Sequence, residues 1–530
     1  MDADELTADV VVVGFGAAGA CAAIEAARAG AEVVVLDRFG GGGATALSGG
    51  VVYAGGGTSV QRAAGITDTP EAMYEYLRRE VDGVVSDETL RRFCAGSPDM
   101  IDWLAELGVP FQASLCPYKT SYPSNRHYLY YSGSEASGGF REAAAPAPRG
   151  HRAHGRGISG GVLFDRLAAT ARELGVRVLT QTSATELVTG DDGRVVGVAA
   201  RRLTGRPATA HRWLSRYAAK PGLYYPPLRR ALHPRAAALE RRHGRPLRIR
   251  ARRGVVLTAG GFIQNREMLR EHAPAYRGGL ALGTPGDDGS GIRLGVAAGS
   301  ATAELGSVSV WRFISPPSAF LGSVLVDAAG HRVCDESRYG AALGHALVSE
   351  HGGRGWLLVD AGLVRDARRQ LGSQTVWFQR VQTEYLLRAR RAEGATLDEV
   401  AAKAGIDPDG LRATVKAHND AAGAGLPDPA GKPSEFVRAL TEPPYSLLDI
   451  SIAPSMYYPC PMLTLGGLVV GEGTGAALRP DGTPIGGLYA AGRTAVGICS
   501  RSYVSGLSLA DCIFSGRRAG AAAGKAEPPE

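Results

Sequence analysis

The run Asp9-Val10-Val11-Val12-Val13 passes without a spacer into Gly14-Phe15-Gly16-Ala17-Ala18-Gly19 and then into the small-residue stretch 20–29. No other feature narrows the possible folds so far. The valines read as a buried strand, the glycines as a tight turn and the alanines as a helix. In such a unit Gly14 makes the turn, Gly16 lets backbone approach a pyrophosphate at the helix N-terminus, and Gly19 lets the helix pack closely on the strand. A second strand, 31–36, ends at Asp37, a carboxylate placed to accept hydrogen bonds from a ribose. The pattern predicts an α/β dinucleotide-binding domain built on a parallel sheet.

At 530 residues the chain is too long for a single core, which predicts two domains, one inserted in the other. Hydrophobic content of 45% and charged content of 21% are those of a soluble globular protein. The acidic start Met1-Asp2-Ala3-Asp4-Glu5-Leu6 leads straight into the first strand, so no secretory leader is expected, and no apolar run has membrane-spanning length. The seven cysteines lack metal spacing, and Cys21 falls in the predicted cofactor helix, which points to reduced thiols and a cytoplasmic protein. His151 and His154 have no third ligand nearby, so no metal is expected.

The net charge of +7 does not imply nucleic acid once it is located. Residues 204–253 hold fourteen Arg or Lys against one acid, Glu240, and leave the rest of the chain net acidic. Aromatic residues are interleaved with this charge: Trp213, Tyr217, Tyr224 and Tyr225. Such a segment suits peripheral contact with an anionic membrane or a partner, or else a solvated excursion between two strands, and both readings stay open.

Further along, the periodicity predicts helices over 70–79 and 88–107, a long Tyr-, Ser-, Gly- and Pro-rich loop over 111–157, a helix over 164–174 and a strand over 176–179. A hairpin joins 184–188 to 195–199 around Asp191-Asp192-Gly193. A strand over 253–262 returns to the nucleotide sheet, 306–449 reads as an inserted α+β domain, and a last strand and helix over 487–520 close the fold. The expected organisation is 1–305 (with the basic insertion at about 204–249), 306–449 and 450–530.

The turn Ala490-Ala491-Gly492-Arg493, with Thr464-Leu465-Gly466-Gly467-Leu468 upstream, resembles the C-terminal blocks of the fumarate reductase and succinate dehydrogenase flavoprotein superfamily. Within it the chain resembles the 3-ketosteroid dehydrogenases, and above all the branch acting on the Δ4 bond of 5α-3-ketosteroids. Stretches 44–57, 129–133, 143–151, 250–257 and 492–520 carry the likeness, which spans nearly the whole chain apart from the basic insertion. The resemblance implies a Rossmann-like, glutathione-reductase-like FAD-binding domain with an inserted catalytic domain, and FAD in place of NAD. It also implies cofactor contacts at Gly14, Gly16, Ala17, Ala18, Gly19, Asp37, Arg38, Ala44, Thr45, Ser48, Gly49 and Gly50. Ala184, Ala259, Gly260, Gly492, Arg493, Ser508 and Leu509 complete that set.

In that family the motifs Ser502-Tyr503-Val504-Ser505-Gly506 and Asp335-Glu336-Ser337-Arg338-Tyr339-Gly340 correspond to the catalytic elements, which implies Tyr503, Ser505 and Tyr339 at a domain interface. The pair Arg501-Ser502 departs from the Gly-Gly common in relatives and bears on substrate identity. Desaturation beside a ketone removes a proton from the α-carbon and a hydride from the β-carbon. FAD takes the hydride, leaving the protein to polarise the carbonyl and carry the proton. Tyr503 is the expected donor or base, with Ser505 in its network and Tyr339 passing the proton on; Arg501 and Arg338 are the candidate cations that would lower a tyrosine pKa. Tyr122, Tyr128, Tyr130 and Tyr131 are candidates for the wall of a flat apolar pocket. The expected partners are a hydrophobic ketone and an unassigned electron acceptor. Three alternatives remain open at this level: desaturation of a non-steroid polycyclic ketone, reduction of an unsaturated carboxylate, and a flavin-binding protein that docks a membrane without turnover.

Overall fold

The computed structural model describes residues 4–527, so the start of the acidic leader, Met1-Asp2-Ala3, lies outside the described residues. The strand Asp4–Val13 runs parallel to Val33–Leu36 on one side and to Arg245–Leu257 on the other, and an eight-stranded sheet grows from this centre. Arg177–Leu179 extends one edge, while Pro484–Ala490 and Ala476–Leu478 extend the other. Val10 to Val13 are buried without alternation because both faces of the sheet are covered.

One face is covered by the helices Ala17–Arg28 and Leu507–Lys525. A Cβ at Gly516 or Gly520 would collide with the backbone of Ala18 or Ala22, so the final helix lies directly against the first. Both start at the same edge of the sheet, where Gly14 (φ +105°) and Gly506 (φ +91°) turn the chain in a conformation that side chains resist. A Cβ at Gly14 would stand 2.5 Å from the Thr258 carbonyl oxygen.

The predicted helix over 88–107 is two helices, Asp87–Ala95 and Ser97–Glu106, because Gly96 ends the first and Pro98 opens the second. The long loop 111–157 is held down by a small sheet of Val51–Tyr53, Gly150–Arg152 and Leu129–Tyr130. Beneath it Arg149 makes a bidentate pair with Asp68 at 2.9 and 2.7 Å, with both side chains fully buried.

The 306–449 segment contains its own antiparallel sheet, Val324–Val326, Trp356–Val359, Tyr445–Asp449 and Arg391–Gly394, around a separate aliphatic core. The three-stranded sheet Leu280–Ala281, Pro461–Thr464, Val308–Val310 joins this unit to the first.

The antiparallel ribbon Thr182–Thr189 and Val195–Arg202 pairs with the first half of Arg245–Leu257. Between Arg202 and Arg245, which are cross-strand partners, the chain leaves the ribbon as two helices, Gly205–Tyr224 and Pro226–His243. The basic segment is thus an excursion between two strands, with most of its Arg and Lys side chains exposed. It folds back as a helical hairpin over the groove that begins at Gly14.

Candidate active site

A single cavity of about 1210 Å³ runs from the glycine-rich turn to the junction with the second unit. It exceeds the roughly 300–1,000 Å³ of ordinary ligand pockets. At one end lie Gly14, Gly16, Ala17, Ala18, Asp37, Arg38 and Ala184; at the other lie Trp311, Phe313, Tyr339, Tyr503, Ser505, Ser508 and Leu509. Ala44, Thr45, Ser48, Gly49, Ala259, Gly260, Gly492 and Arg493 line the stretch between.

Of the residues expected to meet the cofactor, Gly19 and Gly50 do not line this cavity. A Cβ at Gly19 would overlap the Gly14 carbonyl, so this glycine serves the packing of helix on turn. Gly50, at φ +68°, packs against the backbone of Ser159 and Gly160. Asp37 is also otherwise engaged: its carboxylate accepts from the N–H groups of Phe15 (3.0 Å), Phe39 (2.8 Å) and Gly41 (3.0 Å). Three of roughly four acceptor positions thus hold the two turns together, and one is left for a ribose on the cavity side. The Arg38 guanidinium donates twice to Glu240 and once to Asp288, all at 2.9 Å, which makes it a strut more than a cofactor ligand.

The cavity nonetheless fits a dinucleotide. Where a Cβ would stand on Gly16, the nearest protein atom is the Thr45 hydroxyl at 3.5 Å, so this position faces open space along the helix N-terminus. Two helices, Ala17–Arg28 and Leu507–Lys525, point their N-termini at the same groove, an arrangement suited to pyrophosphate at one end and to an electron-rich ring at the other.

At the far end the sequence motifs converge. Tyr503 and Ser505 precede the final helix, whereas Tyr339 immediately precedes the helix Gly340–His351 of the second unit. The Tyr503 ring lies 6.3 Å from that of Tyr339 and 5.0 Å from that of Trp311, and Phe313 packs at 5.6 Å on Tyr339. The Ser505 hydroxyl is 3.0 Å from the Tyr130 hydroxyl. Burial raises the pKa of Tyr503, Tyr339 and Tyr130 above the ordinary phenol value, and Ser505 partly offsets this at Tyr339 and Tyr130.

The cations expected beside these phenols are elsewhere. Arg501 is half-exposed and pairs with Glu304 at 2.6 Å, and the Arg338 guanidinium sits over Phe140. Arg493, held by Asp287 at 2.5 Å, is the cation whose field favours ionisation of Tyr503. Tyr122 lines the cavity and donates to the carbonyls of Gly49 (3.0 Å) and Gly157 (2.9 Å), while Tyr128, Tyr130 and Tyr131 are not part of its wall. The ring nitrogens of His151 are taken by the Thr58 hydroxyl at 2.8 Å and the Arg149 carbonyl at 3.1 Å.

Sequence patterns missed three parts of the site. Sequence offers Tyr130 only as a pocket wall, and the fold alone brings its hydroxyl behind Ser505. Trp311, Phe313, Trp377, Met456 and Tyr457 line the chamber without any periodic or motif signal. The helical hairpin contributes Arg212, Ser215, Arg216, Leu223, Tyr224 and Arg230, a role its composition did not indicate.

The comparisons with known proteins agree with this geometry. Residues 9–506 match the family model described as FAD binding domain. The chain is 40% identical, over 91% of its length and 92% of the relative's, to 3-oxo-5-alpha-steroid 4-dehydrogenase of Comamonas testosteroni. The chain belongs to this family of FAD-binding dehydrogenases. Its cofactor is FAD, and it is an FAD-dependent oxidoreductase acting on CH–CH bonds. Among solved structures of the family, 3-ketosteroid-delta4-(5alpha)-dehydrogenase from Rhodococcus jostii RHA1, in complex with 4-androstene-3,17-dione, superposes with a TM-score of 0.81. It is 32% identical, and the match covers 99% of this chain and 98% of that one. A second dehydrogenase relative, 3-oxosteroid 1-dehydrogenase of Mycobacterium tuberculosis, is 28% identical over 93% of this chain and 94% of its own.

Proposed function

We propose that the protein introduces a Δ4 double bond into 5α-3-ketosteroids, with Tyr503, Ser505 and Tyr339 as its catalytic residues. The observation that carries this reading is the cluster of buried hydroxyls, supplied by both units and walled by Trp311 and Phe313, at the end of the FAD cavity. FAD bound in the groove supplies the acceptor for the hydride that leaves C5, the carbon β to the ketone.

The residues handle the other half of the chemistry. Tyr503 keeps its proton because burial opposes the phenolate. It is a neutral donor on the chamber wall, suited to the C3 carbonyl oxygen. A hydrogen bond there acidifies the C4 proton by stabilising enolate character as it develops. Ser505, joined to Tyr130 and beside Tyr339, accepts that proton as it releases its own through the Tyr339 hydroxyl to water outside the chamber, so that every hydroxyl of the chain ends neutral. The aromatic walls exclude water and hold a flat, rigid molecule in one orientation.

The same lining disfavours reduction of an unsaturated carboxylate. That reaction needs a cationic clamp on carboxylate oxygens, yet the side chains around Tyr503 and Tyr339 are Trp311, Phe313 and hydroxyls, and Arg493 is already paired with Asp287. Anaerobic mixing with a 5α-3-ketosteroid tests the proposal. The expected result is bleaching of the flavin absorbance and a Δ4-3-ketosteroid product. No bleaching by any 3-ketosteroid, with FAD bound, would move the activity to another ketone.

Exposed aromatic and apolar side chains gather at the cavity mouth: Tyr224 on the hairpin, Trp377 and Val381 on the helix Trp377–Ala389, and Met456 and Tyr457 beyond it. Trp213 and Tyr217 continue this surface along the hairpin, interleaved with Arg and Lys. We propose peripheral contact of this rim with an anionic bilayer, from which an apolar ketone would enter. Co-sedimentation with phosphatidylglycerol vesicles that falls with salt supports it, and no co-sedimentation even at low ionic strength rejects it. Among the described residues no helix is long and apolar enough to cross a membrane.

A further inference from the structure

We propose that the helical hairpin Gly205–Tyr224 and Pro226–His243 is a latched lid on the adenosine half of FAD, and that its cavity-facing arginines hold the cofactor in place. The first observation is position. Arg212, Ser215, Arg216 and Ala219 line the same stretch of cavity as Asp37, Arg38 and Ala184, at the end away from the hydroxyl cluster. Their spacing places them on one stripe of the first helix, while Trp213 and Tyr217 lie one residue round from it and are exposed.

The second observation is the latch. Glu240, the one acid of the segment, is the bidentate partner of Arg38, which follows the ribose-side strand. The same carboxylate pairs with the fully buried His211 at 2.8 Å, and His211 is hydrogen-bonded in turn to Gln181 and stacked on Phe39. On the second helix Arg229 donates to the carbonyls of Ala218 (3.0 Å) and Gly283 (2.9 Å), tying the two helices to each other and to the loop across the groove. A hairpin fastened on both sides of a groove is a cover.

The third observation is charge. Arg38 and Arg229 are consumed by the latch, but Arg212, Arg216 and Arg230 reach the cavity with no carboxylate within ion-pair distance among the described residues. Cations left unpaired on the wall of the adenosine end have their counter-ion in the adenosine-side phosphate, the one that FMN lacks. This gives three of the fourteen basic residues in 204–253 a counter-ion other than nucleic acid.

FAD and FMN separate this role from a general structural one, since FMN lacks the adenosine and one phosphate. In apoprotein prepared from the full chain, the double variant Arg212→Ala/Arg216→Ala should bind FAD at least about tenfold more weakly, followed by flavin fluorescence, with FMN affinity unchanged. Glu240→Gln should speed the release of FAD from the holoprotein by loosening the latch while leaving the arginines present. Equal FAD affinity and release rate in wild type and both variants would overturn the proposal. A parallel loss of FAD and FMN affinity would also overturn it, because that pattern belongs to a damaged fold and not to a lid on the adenosine. Excision supplies an independent variant: Arg202 and Arg245 are already cross-strand partners, so a short Asn-Gly turn can replace the helices. The shortened protein should keep FMN binding and release FAD faster, and tight FAD binding in its absence would equally reject the lid.

Discussion

The Tyr130 hydroxyl lies 3.0 Å from the Ser505 hydroxyl, although 375 residues separate them in the chain. Tyr130 sits on a two-residue strand pinned to Gly150, and Ser505 on the turn before the last helix. The bond thus joins the loop 111–157 to the final segment of the nucleotide domain. If Ser505 carries the proton, Tyr130 orients it. Tyr130→Phe is expected to lower kcat about tenfold, with little change in KM and normal flavin content, and to shift the pH dependence of kcat. An unchanged pH profile would reduce Tyr130 to a packing residue.

Tyr503→Phe removes the carbonyl donor but preserves the ring against Trp311. We expect kcat to fall by about 10² to 10³, with FAD still bound and its spectrum close to wild type. Stopped-flow bleaching separates this from product release, since the reductive half-reaction itself should slow.

Asp68 and Arg149 form an ion pair with both side chains fully buried. Asp68→Ala would strand the guanidinium beneath the loop that holds Tyr130, at a cost of about 3 to 5 kcal/mol. Urea unfolding should show that loss, and the variant should also lose turnover because Arg149 directly precedes the strand Gly150–Arg152, which pairs with Leu129–Tyr130.

Burial lowers the pKa of His151 to about 4, with smaller opposing effects from the Arg149 carbonyl and Asp68. The unfolded chain takes up this proton near pH 6.5, well before the folded protein does. Stability should therefore decline as pH falls from about 6.5 to 4, with this residue contributing about 3 kcal/mol by the lower limit. His151→Asn should flatten that part of the stability profile while leaving the acidic limb below pH 4.

Gly19→Ala should yield protein without flavin or none that folds, because its methyl would overlap the Gly14 carbonyl. Gly16→Ala meets no protein atom closer than 3.5 Å, so it should fold normally and show weakened FAD affinity alone. Comparing thermal unfolding of the two apoproteins checks the distinction.

The dinucleotide unit was legible in the sequence because its signals are local: a valine run, glycines at fixed offsets and a small-residue helix all fall between Asp9 and Asp37. Tyr339, Tyr503 and Ser505 were legible only through motif resemblance, and the fold brings them to one chamber. The part that failed is long-range. Asp37 was expected to face a ribose, and its carboxylate also ties two turns together, accepting from Phe15 N–H of the glycine-rich turn and from Phe39 and Gly41 of its own. Arg501 was expected beside Tyr503, yet Glu304, almost two hundred residues upstream, draws it outward. The hairpin's composition revealed its charge but not its direction, since which side of an arginine-rich helix faces the groove is decided by Glu240 meeting Arg38.

The groove for the nucleotide and the chamber at the hydroxyl cluster are one uninterrupted space. A flavin ring held in this space would form a floor for the ketone, and a bound ketone would stand in the way out for the ring. If the ketone tightens the flavin's hold, linkage requires the flavin to tighten the ketone's by the same factor. A saturating ligand would then act as a cork, and resting flavin would be lost fastest from an enzyme starved of substrate.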